Sequence, residues 1–404
     1  MEKTIEIRKL KPEENIQRLL AHSVCFLGSP PQDKEALLKN PEEHTEGHDT
    51  SWGAYDETGR QLSQMQVIPA KILINNQPTS AGLICGVTTL PEARNGRLVR
   101  KIFEKVMPIM KEEGMVYSML YPFSFEFYRK FGYEQGYMRP KATFPVSELA
   151  RYPYPNGMKA HEKGDPCDDF NKVYEAFTRD KNLAIVRGSK EWEEILKRDP
   201  YKKREFAYIH YNAKGEPDGY ILYKSEKKDL NYSLLNILEL AWTGKPGLEA
   251  MLGFIHGLRS EYSDVSWPIP GGFDIFGVGV IPEPGKITYA RGSLIMNRIM
   301  DVGAALSLMK APTGSGNVSI FVTDKFIDTN TGIYVVSWEG GNLSVDKTTR
   351  PPDMELDVET LVQLNTGYLT PAQVIYRDGV AIHSKMEELS ALFVKQDLYQ
   401  MEYY

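Results

Sequence analysis

AGLICGVTTLPEARNGRLVRKIF, residues 81–103, runs from an unbroken apolar stretch through a Pro- and Gly-marked turn into an amphipathic segment. Ala81–Leu90 has the apolar continuity of a central strand. Pro91–Gly96 ends it. From about Arg97 to Glu113, Leu98, Val99, Ile102, Phe103, Val106, Ile109 and Met110 recur at helical spacing. Pro108 is expected to kink this helix and Gly114 to cap its end. A strand at Met115–Tyr121 follows, then a short helix over Ser124–Lys130 with Ser124 as N-cap. Phe131-Gly132-Tyr133 closes the unit. Loop N–H groups, Arg94, Arg97 and Arg100 and the positive end of the helix dipole together make a pyrophosphate cradle. An ordinary strand-to-helix turn carries the same residue types, so spacing alone leaves both readings open.

Upstream, Thr4–Leu10 alternates as a short strand, and Pro12-Glu13-Glu14 opens a helix bearing Ile16, Leu19, Leu20 and Val24 on one face. Residues 28–50 are rich in Pro, Glu, Gly and His and predict a mobile loop. Residues 51–69 predict two strands around Glu57-Thr58-Gly59, and Lys71–Asn75 a further one. Downstream, Tyr152-Pro153-Tyr154-Pro155 is a candidate linker. Beyond it the order of elements is echoed: Phe206–Tyr211 and Gly219–Lys224 as paired strands, Leu235–Thr243 as a strand, Leu248–Leu258 as the helix after it. The equivalent turn, WTGKPGLEAML (242–252), holds Lys245 alone and no arginine cluster, which predicts a unit without cofactor. The last third begins near Ala290. Leu294–Leu308 reads as an amphipathic helix, Asn317–Thr323 and Gly332–Glu339 as antiparallel strands, and Leu356–Leu364 and Pro371–Asp378 as helical.

The 404 residues predict two or three domains at ~150 residues each. An apolar fraction of 42% excludes a disordered chain, and no apolar run reaches membrane-spanning length. The opening MEKTIEIRKLKPEEN has no apolar signal core, which predicts no export. Three scattered cysteines (Cys25, Cys85, Cys167) make no disulfide framework and fit a reducing cytoplasm. The net charge of −6 argues against nucleic acid and suits a cationic small-molecule partner.

GVTTLPEARNGRLVRKIF (86–103) resembles the acetyl-CoA loop of GNAT-type N-acetyltransferases, R/Q-x-x-G-x-G/A between a central strand and a helix. Arg94 matches its first position; Arg97 and Val99 stand where its small residues stand, and Gly96 lies one place early. FYRKFGYEQGY (127–137) is similar to the motif that carries the catalytic tyrosine of that fold. The whole chain resembles the Eis family of acetyltransferases. The resemblance implies an α+β chain: tandem GNAT-like α/β domains, the second degenerate, followed by a sterol-carrier-protein-like α+β domain. The corresponding limits are 1–152, 153–289 and 290–404. It implies acetyl-CoA as co-substrate and no metal. Val87, Thr88 and Thr89 would meet the pantetheine arm, Asn95, Gly96, Arg97, Leu98, Val99 and Arg100 the pyrophosphate, and Phe123 and Ser124 the thioester. Tyr128 would be the general acid and the terminal carboxylate of Tyr404 the general base. The family's acceptors are aminoglycosides and its assembly a hexamer.

Those roles have physical reasons. Acetyl transfer to an amine expels a thiolate, which a tyrosine hydroxyl can protonate. An ammonium of pKa ~10.4 must lose a proton, which a carboxylate can hold or relay. On its own, Tyr128 also reads as a core tyrosine among Phe125, Phe127, Phe131 and Tyr133. Two rival functions remain: a protein or peptide lysine acetyltransferase, and a non-enzymatic lipid-binding protein whose tunnel the stripe Ile295, Met296, Ile299, Met300, Val302, Ala305, Leu306 and Met309 would line, although such a stripe is more often plain core. His44 and His48, with Glu42, Glu43 and Asp49, read as a solvated loop rather than a metal site.

Overall fold

The computed structural model describes residues 4–26, 32–40, 44, 46–228 and 233–402. The first third builds β1 (Glu6–Lys9), α1 (Asn15–Cys25), α2 (Lys34–Lys39), β2 (Ser51–Tyr55), β3 (Gln61–Ile74), β4 (Gln77–Thr89), α3 (Leu98–Glu112), β5 (Tyr117–Leu120), α4 (Phe125–Arg129) and β6 (Glu134–Pro145). The expected strand at Lys71–Asn75 is the end of the longer β3. Part of the expected loop at 28–50 is helical, because Asp33 caps α2 by accepting from the N–H groups of Glu35 and Ala36.

The middle third repeats the order. It runs β7 (Met158–Ala160), α5 (Asp168–Thr178), β8 (Lys181–Asn182), α6 (Ser189–Leu196), β9 (Glu205–Tyr211), β10 (Pro217–Lys227), β11 (Ser233–Trp242), α7 (Gly244–Gly257) and β12 (Tyr262–Pro268). The sheet orders β1-β2-β3-β4-β5 and β7-β9-β10-β11-β12 correspond strand for strand. Helices α3 and α7 follow the fourth strand in each. The two halves join edge to edge through β6, which pairs with β12 from Lys141–Pro268 to Pro145–Asp264, so twelve strands of the described residues form one sheet.

The last third contributes β13 (Thr288–Ile299), α8 (Val302–Ser307), β14 (Ser315–Thr323), β15 (Gly332–Glu339), β16 (Asn342–Thr348), β17 (Met354–Asp357), α9 (Val358–Asn365), α10 (Pro371–Val374), β18 (Ala381–Ile382), α11 (Met386–Leu392) and β19 (Asp397–Leu398). Here the sequence expectation fails. Leu294–Leu308 is not one helix: its first half is the end of β13, which inserts between β5 and β6. Both faces of β13 are covered, so it lacks the polar alternation that marks a half-buried strand. Ile295 and Ile299 face the core shared with Val318, Ile320, Leu361 and Leu364. Met296 and Met300 face the core of the first unit, with Phe103 and Tyr128. The stripe is therefore packed core, the commoner of its two readings, and not the wall of a lipid tunnel.

Candidate active site

Strands β4 and β5 pair in parallel from Ala81–Tyr117 to Ile84–Leu120 and then part. Beyond that point Cys85–Thr89 pairs on its β3 side alone. The register slips there, with Gln64 opposite Thr88 but Gln66 opposite Cys85, and Gly86 takes a positive φ of 58°. This bulge turns the strand end, and its second edge presents backbone groups to the gap. The Thr88 hydroxyl is buried there without a hydrogen-bond partner among the described residues.

The gap opens into a cavity of about 1090 Å³. Val87, Thr88, Thr89, Asn95, Gly96, Arg97, Leu98, Val99, Arg100 and Phe123 line it, with Arg94, Cys25, Phe26, Ala93, Phe127, Lys130 and Phe131. Ser124 does not line it; its hydroxyl caps α4, accepting from the Phe127 N–H at 3.2 Å. Cys25 and Phe26, from the end of α1, carry no motif by which sequence could have found them.

The loop answers the departure at Arg97. Asn95 (φ 67°) and Arg97 (φ 53°) take the left-handed backbone, and Gly96 does not. Arg97 thus adopts the conformation that a glycine would hold freely, at a cost of about 1–2 kcal/mol. No side chain caps α3. The N–H groups of Leu98, Val99 and Arg100, all on the cavity wall, have no partner within the helix. Among the described residues the exposed guanidiniums of Arg94 and Arg97 have no partner either. Arg100 lies 3.4 Å from Glu104 and over the rings of Phe131 and Phe326 at 5.7 and 5.9 Å. Unpartnered N–H groups and cations around one mouth fit a polyphosphate.

Tyr128 sits behind Phe123 and Phe127 and is 3% exposed. Its ring meets Phe123, Phe127, Tyr133 and Phe103 at centroid distances of 5.4, 5.2, 6.2 and 6.5 Å, all edge-on. Burial, and then Tyr133, push its pKa well above that of a free phenol. The hydroxyl is therefore protonated at neutral pH, as a proton donor must be. Tyr128 is not on the cavity wall, and what the packing shows is the core-tyrosine reading.

Tyr404 lies outside the described residues, but the chain before it is ordered onto the molecule. Strand β19 pairs in parallel with β8, Asp397 opposite Lys181. Tyr121, just past β5, donates to the carbonyl of Glu402 at 2.7 Å and lies 3.1 Å from the Gln400 side-chain oxygen. The Arg139 guanidinium donates to the Tyr121 hydroxyl at 2.9 Å. The tail so reaches the end of β5 from which Phe123 and Tyr128 follow. The resemblance implied a tail that returns to the first domain; no local pattern announces Tyr121 as its partner, since Tyr121 and Glu402 are far apart in the chain. Among the described residues no group of three or more His, Cys, Asp or Glu side chains is placed to hold a metal; Glu42 and Glu43 lie outside them.

Family models match residues 6–136 and 183–274, each as an acetyltransferase (GNAT) domain. The chain carries two GNAT acetyltransferase domains. A third model, the sterol carrier protein domain, matches residues 302–399 after them. With these domains the protein is an acyltransferase, and GNAT domains draw their acetyl group from acetyl-CoA. No curated protein matches the chain in sequence. Among solved structures, a GCN5-related N-acetyltransferase from Anabaena variabilis superposes with a TM-score of 0.86 at 20% identity, covering 99% of this chain and 100% of its own. A probable N-acyltransferase from Enterococcus faecalis gives 0.85 at 20% identity, covering 98% and 99%. Eis1 from Mycobacterium abscessus gives 0.81 at 16%, covering 99% and 100%. These likenesses extend the fold over the whole length. No helix among the described residues is long and apolar enough to cross a membrane.

Proposed function

We propose that the first GNAT domain transfers acetyl from acetyl-CoA to amines of cationic small molecules, with aminoglycosides as the substrate class. The carrying observation is the mouth between β4 and β5, where a bare strand edge leads to unpartnered helix N–H groups and the arginines at 94, 97 and 100. Val87–Thr89 would align the pantetheine arm and Asn95–Arg100 the pyrophosphate, with Phe123 beside the thioester and Ser124 holding the start of α4 behind it. The amine nitrogen attacks the acetyl carbon; the C–N bond forms and the C–S bond breaks. Tyr128 gives its proton to the sulfur. The ammonium proton leaves towards the carboxylate of Tyr404, directly or through water. Domain limits at 1–152, 153–289 and 290–404, a hexameric assembly and a cytoplasmic location complete the reading.

The test is thiol release from acetyl-CoA with aminoglycosides, polyamines and lysine peptides as acceptors. Release with aminoglycosides, reduced about 10²–10⁴-fold in kcat by Tyr128→Phe, is the expected result. Release with peptides alone would transfer the assignment to lysine acetylation. No release, with no binding of acetyl-CoA, would remove the enzymatic role from this site.

A further inference from the structure

The second GNAT domain has an opening like the first. Strand β11 pairs with β12 as far as Asn236–Ser266, and Ile237–Trp242 then pairs with β10 alone. On that freed segment stands Glu239, 5% exposed. Arg187, from the connection between β8 and α6, meets it with both terminal nitrogens at 2.9 Å. Its third nitrogen, Nε, donates to Glu402 of the tail at 2.6 Å. The Tyr220 hydroxyl donates to Glu239 at 2.5 Å; that of Tyr174 donates to the Ile185 carbonyl at 2.8 Å and lies 3.4 Å from Glu402. The guanidinium lies over the Tyr174 and Trp192 rings at 3.8 and 4.7 Å. The side chains of Arg187, Glu239 and Glu402 are 1%, 6% and 13% exposed, so the pairing is little screened.

One buried cation thus serves two carboxylates. Glu239 alone already neutralises Arg187, so the second carboxylate is more than charge balance requires. Glu402 brings the tail with it: Tyr399 packs on Tyr174 and Phe177, and Met401 joins the same core. Two residues beyond Glu402 stands Tyr404.

We propose that Arg187 and Glu402 form a clamp by which the second GNAT domain positions the chain's end for acetyl transfer in the first. The proposal rests on the acetyltransferase reading given above. In it Arg187 and Glu402 are positioning residues, and the second domain is kept for the place it gives the tail.

Glu402→Ala is the primary variant. It lies near the end of the chain and leaves Arg187 paired with Glu239, so the fold is not put at risk. Arg187→Met would strand two buried carboxylates, and Arg187→Lys serves instead as the conservative partner. Two readouts are taken on the full chain. Carboxypeptidase release of the terminal tyrosines reads the clamp without any acetyl transfer. Steady-state thiol release reads positioning. In Glu402→Ala the tail should be released at least about tenfold faster, and kcat should fall about 10–100-fold with the KM for acetyl-CoA unchanged. Arg187→Lys should fall between it and the parent in both. Unchanged protease protection overturns the clamp. A loosened tail with full kcat overturns the positioning role, and a rise confined to the acceptor's KM would do the same by making Glu402 a substrate contact. If the unaltered protein releases no thiol with any amine while Glu402→Ala still loosens the tail, the acetyltransferase reading has failed and the positioning role falls with it, although the clamp stands.

Discussion

The two GNAT domains share a sheet order and a helix pair, yet they use the same opening differently. In the first, residues 90–97 separate β4 from α3, and this loop supplies the arginines and the uncapped helix start. In the second, Thr243 alone separates β11 from α7. The short connection leaves no room for a cradle, and its cavity of about 910 Å³ is walled by Tyr152, Tyr154, Trp242 and Phe273 with Lys245 and Arg151, whose guanidinium donates to the Gly279 carbonyl. Where the first domain leaves cations unpartnered at its mouth, the second buries one between two carboxylates. The fold is thus neutral as to function. The length of one loop and the pairing state of the arginines separate a site from a support.

That contrast is open to attack. The largest effect is expected from Arg94→Ala combined with Arg100→Ala, which should raise the KM for acetyl-CoA at least about a hundredfold with kcat little changed, each lost charged contact being worth roughly 1.5–3 kcal/mol. Lys245→Ala should leave that KM within about twofold, because its ion pair with Glu249 at 3.7 Å is on the surface. Equal effects from both would erase the distinction between the domains.

A smaller effect concerns the ion pairs themselves. Arg8 holds Glu14 through two contacts, at 2.6 and 2.7 Å, and Tyr55 donates to it at 3.1 Å. Chiefly through Arg8, the Glu14 carboxyl is lowered to about 2. Folded pKa below unfolded pKa means stability that is fully present above the unfolded value, near 4.5, and lost as pH falls through about 2. Glu14→Gln should lower Tm by a few degrees at pH 7, and the gap to the parent should narrow between pH 4.5 and 2 in thermal melts. A constant gap would show that shape, not charge, holds β1 to the first domain.

The smallest effect belongs to Arg97. Arg97→Gly relieves a left-handed backbone and should raise Tm by about 1–3 °C while costing less in acetyl-CoA affinity than the double variant. A large rise in KM instead would make its side chain a principal phosphate contact.

Much of the first domain was legible in the chain. The strand at 81–90, the turn, the helix stripe from Leu98 to Met110 and the Ser124 cap are local patterns, and the expected cofactor residues at 87–89, 95–100 and 123 line one cavity, Ser124 apart. The reading failed at β13. Ile295, Met296, Ile299 and Met300 are covered on both faces, and a strand so buried loses the alternation that would distinguish it from a helix. The correspondence of β4–α3 with β11–α7 was visible as an order of elements.

By itself, then, the sequence determined the run β4–α3–β5–α4 in the first GNAT domain, the run β9–β10–β11–α7 in the second, and the identity of the loop that separates them, while α2, β6, α5, α6 and β12 went unread. These follow from periodicity and turn chemistry, which act over a few residues. Only the tertiary structure decided that β13 crosses back into the first sheet, that Cys25 and Phe26 border the cavity, and that Arg187 and Tyr121 hold the tail. Each of these joins residues distant in the chain. Burial and charge pairing draw them together only once the cores have closed, and no local pattern records such a meeting.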